Sequence, residues 1–599
     1  MPGNFTKTGV GALDADTFLK VGGIANISQG TLLVSAELQA DRVNVLPEAG
    51  LGGGGLITGN VFNSGLVAPG ALPKSSLGSG SQIGTLSLLG DYTQTSNGAL
   101  QIEIAGPNRN DRLIVSETAR LAGTLDVRTV DGQRLEYGDR YPILEAGSIN
   151  GAFGRILMPE PELRGRFLNN GRSGILLVAP ISYTLVARTP NESRIGQALD
   201  SWIGRERGDI GAATLSLDLL KAEEYPAAFE AIAPGFHGGA MNTTIELSHN
   251  QGQLLFQQLS SRRLGRMRSD RNRGSDDDSG ARITDDGSGK RVVDDSQSHS
   301  GGWSRGKEVR LEKAPAPWEI DPDGWNLWVL GSGLYSEGGM GLTPGDDFES
   351  GTFMVGADRA VTEFLALGLF TSYQDGRGDY DNGGSTDLES VRVGAYAALD
   401  FEGFYASGAA GVGTTDYHTK RPIQWATLDR TAWSDTDGSE CFAMLGTGYD
   451  FHAGNFTFGP AVSAQYTHLK MDGFTERGAD SLNLRVRDFN GESLRSYLGG
   501  RIAYTHRVNP DFTVIPELRA FWQHEHLDEG TGIPAELNGG NGPGFNYFTE
   551  GGDDNAVYAG AGVSMRIGDS LTLSTFYHAD FGSEEDTQNS VSISASWGF

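Results

Sequence analysis

The chain has 599 residues, 87 of them Gly and one of them Cys, with a formal net charge of −29. That length implies several folding units, and the acidic balance excludes a nucleic-acid partner, which needs Lys and Arg gathered against phosphate. The lone Cys441 excludes an intrachain disulfide framework, and no apolar run approaches the ~20 residues of a membrane helix.

In chain order, the start MPGNFTKTGVGALDADTF has neither a basic n-region nor an apolar h-region, so no signal peptide is read in it. If the chain is exported, a signal peptide is expected upstream. Residues 1–189 are rich in Gly, Ser, Thr and Asn, with many short apolar runs. That composition predicts strands separated by tight turns. Residues 190–268 read as a helical segment, with helix-like stretches at Ile195–Ile203 and Ala213–Glu224 and one longer helix over Met241–Met267. Asn242 or Thr243 would cap the longer helix, with Glu246 in its first turn. Leu247, Leu254, Leu255, Leu259 and Leu264 recur in it at helical spacing. Arg262, Arg263, Arg266 and Arg268 suit the negative end of its dipole. Gly252 is a weak point within it. Residues 269–320, rich in Asp, Ser, Gly and Arg, predict a disordered acidic linker. Its acidic runs Asp276–Asp278 and Asp294–Asp295 read as solvated charge, and Gly287-Ser288-Gly289-Lys290 lacks the spacing of a phosphate loop.

Residues 321–599 alternate with a period of two. In the last stretch, Val591, Ile593, Ala595, Trp597 and Phe599 alternate with Ser590, Ser592, Ser594, Ser596 and Gly598. Strand geometry sends the two sets to opposite faces. The pattern recurs in about twelve segments of roughly 10 residues, the length a tilted strand needs to cross hydrocarbon. Connections alternate between short (Gly568–Ser570, Asp450–Gly454) and long (Glu525–Asp553, Lys420–Ser439). Short periplasmic turns and long outer loops are expected of a transmembrane β-barrel. Trp328, Tyr335, Tyr373, Tyr504, Trp522, Tyr577 and Trp597 near strand ends suit interfacial girdles. A soluble sandwich would not need a polar interior opposite an apolar exterior on nearly every strand.

Residues Asn4–Val34 resemble the passenger-associated repeat of autotransporters, with Lys7, Gly9, Gly11 and Leu13 opening the unit and Gly30, Leu32 and Val34 closing it. Asp14-Ala15-Asp16 departs from the repeat's alternation. Leu66–Gly106 and Asp111–Phe153 resemble the end of such a passenger, the autochaperone region. The resemblance implies an all-β chain: a right-handed β-solenoid passenger, a short helical segment with a pore helix, and a 12-stranded antiparallel transmembrane β-barrel as translocator. It implies insertion in the outer membrane of a Gram-negative-type bacterium, with the solenoid exported to the cell surface as an adhesive or structural passenger. Alternatives are a surface enzyme whose catalytic domain lies upstream, and a pore-forming outer-membrane protein. The implied partners are outer-membrane lipid, the barrel-assembly machinery, periplasmic chaperones and a host or surface ligand. The chain is expected to be a monomer and to need no cofactor or metal. Val591, Ile593, Ala595, Trp597 and Phe599 look like the terminal signal read by the assembly machinery.

Gly568-Asp569-Ser570-Leu571 spells GDSL, a motif of some autotransporter esterases, but here it falls in a predicted turn between two strands, where Gly-Asp-Ser is ordinary turn chemistry. No catalytic residues are assigned. His237, His249 and His299 show no metal-ligand spacing, and His524 and His526 read as a surface pair. Some autotransporters cleave themselves at an Asn-Asn pair in the pore helix. Asn169-Asn170 lies too early for that, in a predicted turn, so no self-cleavage by that route is expected. The charges expected to face the lumen are Arg392, Arg495, Arg501, Arg519, Arg566, Glu517 and Asp580, because charge on a lipid face costs roughly 2–4 kcal/mol at midplane. Either they hold the helix in the pore and tune passage, or they simply fill the lumen.

Overall fold

The computed structural model describes residues 3–70, 83–266, 324–337, 347–527, 530–549, 551, 555–568, 570–582 and 587–599. The predicted linker, with its acidic runs and the 287–290 segment, lies outside the described residues, as do His299 and Asp569. Two compact units are present: Met1–Ala233 with Ile423–Arg430, and Pro234–Pro422 with Thr431–Phe599.

In the first unit, consecutive strands alternate between two sheets. One sheet takes Phe5–Lys7, Ile24–Ile27, Glu37–Val45, Leu56–Asn63, Thr85–Leu89, Arg112–Leu121 and Arg140–Gly151 in order. The other takes Ala12–Ala15, Gly30–Val34, Ala49–Gly53, Leu66–Pro69, Ala99–Gly106, Thr124–Thr129 and Arg155–Leu157. Neighbours within each run are parallel, which is the winding of a β-solenoid. Side chains stack in register between coils: Leu32, Leu51, Val67, Leu100 and Leu125 form one buried column. Such columns bury what a single coil exposes. Gly30, at φ +65, touches the preceding coil so closely that a Cβ would lie 2.4 Å from the Gly11 carbonyl oxygen. Lys7 Nζ donates to the carbonyls of Thr8, Gly9 and Gln29. Leu13, in the opening of the repeat-like unit, is 40% exposed. Among the described residues its strand has a neighbour on one side only.

The antiparallel hairpin Leu163–Asn169 and Ser173–Pro180 follows the last coil. Asn169 and Asn170 do form its turn: Asn169 Oδ1 accepts from Gly171 N and Asn170 Oδ1 from Ser173 N. Three helices come next: α1 Pro190–Asp200, α2 Gly208–Asp218 and α3 Tyr225–Ile232. Thr189 caps α1 through Glu192 N. Buried Asp218 at the end of α2 accepts from Arg164, Arg166 and Tyr183, fastening the helices to the hairpin. The segment 190–268 therefore divides: α1–α3 belong to the first unit, while the long helix α4, Gly235–Arg266, belongs to the second.

Among the described residues no helix is long and apolar enough to cross a membrane. Twelve long strands form a closed antiparallel sheet: Trp325–Glu337, Asp347–Ala360, Leu365–Asp379, Ser385–Phe401, Phe404–Trp425, Leu428–Tyr449, Phe456–Met471, Phe489–Tyr504, Phe512–Glu525, Asn555–Ile567, Leu571–Phe581 and Thr587–Gly598. Short strands Phe451–Ala453 and His506–Asn509 complete the 14-stranded sheet. The last strand lies between the eleventh and the first, so no backbone edge is left open to lipid. Trp325 and Phe599 exchange two backbone hydrogen bonds of 2.9 Å at the seam.

The predicted alternation is realised on the last strand. Val591, Ile593, Trp597 and Phe599 are exposed on the outside, Ala595 is half-buried there, and Ser590, Ser592, Ser594 and Ser596 are buried. Two expectations need correction. Lys420–Ser439 is not a loop: the fifth and sixth strands run on as a hairpin to the turn at Ala426 and Thr427. Alternation continues through these residues, but polar Arg421 and Ser434 share the buried set with Ile423, Trp425 and Ala432, which breaks the apolar pattern. Trp328 is no girdle residue. It is 2% exposed and shares inward parity with Asn326 and Leu330, and its indole N–H donates to Tyr396 Oη at 2.7 Å. Gly356 makes room for it, since a Cβ there would meet the indole at 2.3 Å.

The same economy recurs at Gly562, where a Cβ would lie 2.2 Å from the buried Phe576 ring. Gly562→Val is expected to lower stability by about 1–3 kcal/mol, as overpacking does. The shift should appear in urea titration of the folded barrel, and Phe576→Ala should restore much of it.

Candidate functional site in the barrel lumen

The lumen holds α4. Its 32 residues span roughly 48 Å at 1.5 Å per residue. At the end with the long connections, Phe236 packs on Tyr380, with ring centroids 4.4 Å apart. At the end with the short turns, Arg263 pairs with Asp450 at 3.0 Å and lies 3.4 Å over the Tyr405 ring. The helix begins at Gly235, six residues before the predicted Met241, so Asn242 and Thr243 are interior rather than caps. Packing overrides propensity in this first turn: a Cβ at Gly238 would lie 2.4 Å from Thr549 Cγ2 and 3.0 Å from Ile533 Cδ1. Gly252, a weak point by propensity, is where the helix meets the wall, with Gln465 and Met444 inside the reach of a Cβ.

Side chains hold α4 on most of its circumference. Thr244 Oγ1 and Tyr417 Oη share a hydrogen bond of 2.8 Å. Ser248 donates to Glu440 at 2.7 Å, and Gln465 donates to the Ser248 carbonyl at 2.8 Å. His249 Nε2–H donates to Ser493 at 2.7 Å, and Ser493 donates to Glu525 at 2.5 Å. Histidine is thus a donor toward this serine and cannot serve as its base. Glu246 accepts from Arg495, and Gln257 donates to Ser592 at 3.0 Å.

The structure brings most of the predicted charges together. Arg392 is buried, with Nε 3.1 and 3.0 Å from the Glu440 oxygens, and it also donates to Gln374 and Gln251. Arg495 bridges Glu246 of α4 and Glu525 of the ninth strand. Arg501 donates to Asp450 at 2.7 Å and to Glu517 at 3.4 Å, and Arg519 donates to Glu517. Arg519 also lies 4.7 Å over the Phe576 ring. Asp580 is half-buried near His578. Arg566 stands apart, half-buried near a short turn, where Nε donates to the Gly568 carbonyl. Glu440, Asp450, Glu525, Arg421 and Glu476 were missed. For Glu440 a signal existed: it has the opposite parity to exposed Cys441 and Leu445.

The long connections build a further structure. Phe474–Thr475, Arg485–Val486, Gly532–Glu536 and Gly544–Phe548 form a four-stranded sheet, where the sequence predicts a loop over Glu525–Asp553. Strands of two to five residues give no periodic signal. Glu476, 4% exposed, ties this sheet to the helix. It accepts from Arg421 Nε at 2.9 Å, from Leu484 N at 2.7 Å and from His237 Nε2 at 3.3 Å. Burial works to raise its pKa, but Arg421 and His237 hold it down to about 2. His524 and His526 are stacked edge to face on the surface nearby. Among the described residues no group of His, Cys, Asp and Glu is placed to hold a metal ion.

A closed barrel with an apolar outer wall, a charged lumen and a helix inside it defines an outer-membrane β-barrel of the translocator class. A family model described as the autotransporter β-domain matches residues 327–578. The barrel of this chain is an autotransporter β-domain, and its place is the outer membrane. Over 218 residues the chain is 27% identical to Esterase EstA of Pseudomonas aeruginosa, a match covering 35% of this chain and 33% of that protein. Over 630 positions it is 22% identical to the Extracellular serine protease of Serratia marcescens, covering 100% of this chain and 56% of that protein. The chain thus spans about a third of the length of the first relative and little more than half of the second. Among solved structures, the translocator domain of the autotransporter NalP from Neisseria meningitidis is similar at 14% identity and a TM-score of 0.36, covering 47% of this chain and 90% of that one. The β-domain of the Bordetella autotransporter BrkA is 18% identical with a TM-score of 0.36, covering 46% of this chain and 100% of that one.

Proposed function

We propose that α4 is the last segment of the exported chain, retained in the lumen, and that the barrel anchors the N-terminal solenoid at the cell surface. The observation that carries this reading is the clamp on α4: Glu246, Ser248, His249 and Arg263 each reach a charged or polar group of the wall. A helix that left the lumen would strand Glu440 and Arg495 without their helix partners. The lumen charges Arg392, Arg495 and Arg501 act here as positioning residues for the helix. The passenger is adhesive or structural, its stacked coils offering a long surface to a host or surface ligand. A second reading is a catalytic passenger, favoured by relatives named as an esterase and a serine protease, of which this chain spans only part.

The test is protease shaving of intact cells. Cleavage within 1–189 while the barrel stays protected supports the anchor, and a passenger cut only after the outer membrane is opened sinks it. Assembly rests on the terminal strand, through the barrel-assembly machinery and periplasmic chaperones. Deleting Trp597–Phe599 removes the backbone bonds at the Trp325 seam. It is expected to abolish the heat-modifiable folded form on gels, and normal folding of the truncation would overturn that role.

A further inference from the structure

The hydrogen-bond ladder of the wall is broken between the sixth and seventh strands. They pair from Gly438 and Met471 to Gly448 and Ala461, and pairing resumes only at Phe451 and Phe458. Pro460, inside the gap, has no N–H to offer, and Asp450 N donates instead to the Gly403 carbonyl at 2.8 Å. Toward the lumen the gap is filled, because Asp450 takes Arg263 at 3.0 Å and Arg501 at 2.7 Å. Toward the outside it is hollow. An open groove of about 630 Å³ lies there, and its lining includes Phe451, Phe458, Pro460, Gly500, Leu518 and Ala520. Arg501 and Arg519 also border it, but their guanidinium groups turn to Asp450 and Glu517 in the lumen.

Register carries the hollow onto the next two strands. Pro460, Gly500 and Ala520 stand on one outward rung. Phe458, Ile502 and Leu518 form the next outward rung toward the short turns, and Val462, Leu498 and Trp522 the one on the other side. The groove floor is bare at its centre, and a Cβ at Gly500 would lie 2.7 Å from the Gly459 carbonyl oxygen.

Position and width select the occupant. The groove is continuous with the lipid-facing wall, since Ile502, Leu518, Val462, Leu498 and Trp522 are between 45% and 59% exposed. From Pro460 the seventh strand runs four residues to its end at Phe456, roughly 13 Å at about 3.3 Å per residue. There Phe456 and Tyr504 form an aromatic pair with ring centroids 4.9 Å apart. Half of a hydrocarbon core is about 15 Å, so the groove lies in the leaflet on the short-turn side, the periplasmic one. That leaflet is built of phospholipid. The two rungs of large residues also stand about 13 Å apart at their Cα positions. Their side chains leave less between them than the ~10 Å diameter of a helix. A single acyl chain fits, and it gains dispersion contacts that small residues permit by close approach.

We propose that this groove binds one acyl chain of a phospholipid from the periplasmic leaflet, and that the lipid stays with the barrel when the bulk bilayer is removed.

The experiment extracts the full chain, exchanges it into fresh detergent and reads bound lipid by native mass spectrometry, with each lipid identified by class. A stoichiometric phospholipid is expected on the unaltered chain. Ala520→Phe places a ring in the groove and is expected to lower the bound fraction several-fold. Ala395→Phe, exposed on the lipid face of the fourth strand, is expected to leave it unchanged. No retained lipid, lipid A in place of phospholipid, or equal retention in the two variants overturns the proposal. Heat-modifiability reports folding of both. If Ala520→Phe does not fold, the unaltered chain is irradiated in phosphatidylethanolamine vesicles whose lipid carries a diazirine on one acyl chain. The diazirine loses dinitrogen, and the carbene inserts into nearby C–H bonds. Labelling of 451–460, 500–502 and 518–520 above the rest of the outer wall is expected, and uniform labelling overturns the site.

Discussion

Arg392→Ala is expected to destabilise the barrel by about 3–5 kcal/mol, the cost of stranding a buried charge whose partner is removed. Arg392 and Glu440 are each 1% exposed. Without the guanidinium, Glu440 keeps one hydrogen bond, from Ser248 of α4. The Gln374 oxygen loses its Arg392 donor as well, while the Gln251 oxygen keeps one from Ser372. Urea titration of folded barrel in detergent should show the loss, with the heat-modifiable band melting at a lower temperature. Arg392→Met with Glu440→Leu is expected to recover most of it, because a buried pair replaced by apolar groups of similar volume is often neutral. A double variant as unstable as Arg392→Ala would show that the loss comes from packing rather than from the stranded charge.

The four-stranded sheet over the long-connection end is expected to loosen in acid. Glu476 titrates near 2 in the folded protein and near its ordinary value of 4.5 when unfolded. A carboxyl depressed in this way contributes stability that is complete above the unfolded value and is lost as pH falls through the folded one. The window therefore runs from about pH 4.5 down to about pH 2. Between two and three pH units, at 1.36 kcal/mol each, give roughly 3 kcal/mol. Hydrogen exchange over 472–488, referenced to the strand Phe489–Tyr504 in the same sample, should rise through that window. Glu476→Gln should start looser at neutral pH and show little further change. The same acid profile in that variant would assign the loosening to other groups. Because His237 and Glu476 join helix to sheet, the first turn of α4 should loosen together with the sheet.

These two sites differ in how far the sequence exposed them. Arg392 was legible because a single rule, period two, places it opposite Val391 and Val393, and those are exposed. Its partner depended on closure. Arg392 lies on the fourth strand and Glu440 on the sixth, and the guanidinium crosses the fifth beside Gly413, where a Cβ would come within 2.8 Å of Arg392 Cγ. Glu476 and Arg421 were not legible at all. Arg421 sits on a stretch that reads as a loop, and Glu476 between strands too short to carry a period. Gly252 and Gly238 looked like helix defects because propensity knows nothing of the wall or of Thr549.

By itself the sequence determined the class of this protein. Strict alternation of apolar and small polar residues, repeated about a dozen times at membrane-spanning length and ending on Trp597 and Phe599, has one stable solution in lipid: a closed barrel. It also determined which residues face inward, since side-chain direction is a local property of the strand. Tertiary structure alone decided what those inward residues meet. Pairing Arg495 with Glu246, Glu476 with His237, and Ser592 with Gln257 requires α4 to sit at one depth and rotation inside a wall of fixed register. Contacts between residues hundreds of positions apart are set by closure and packing, which leave no periodic trace in the chain.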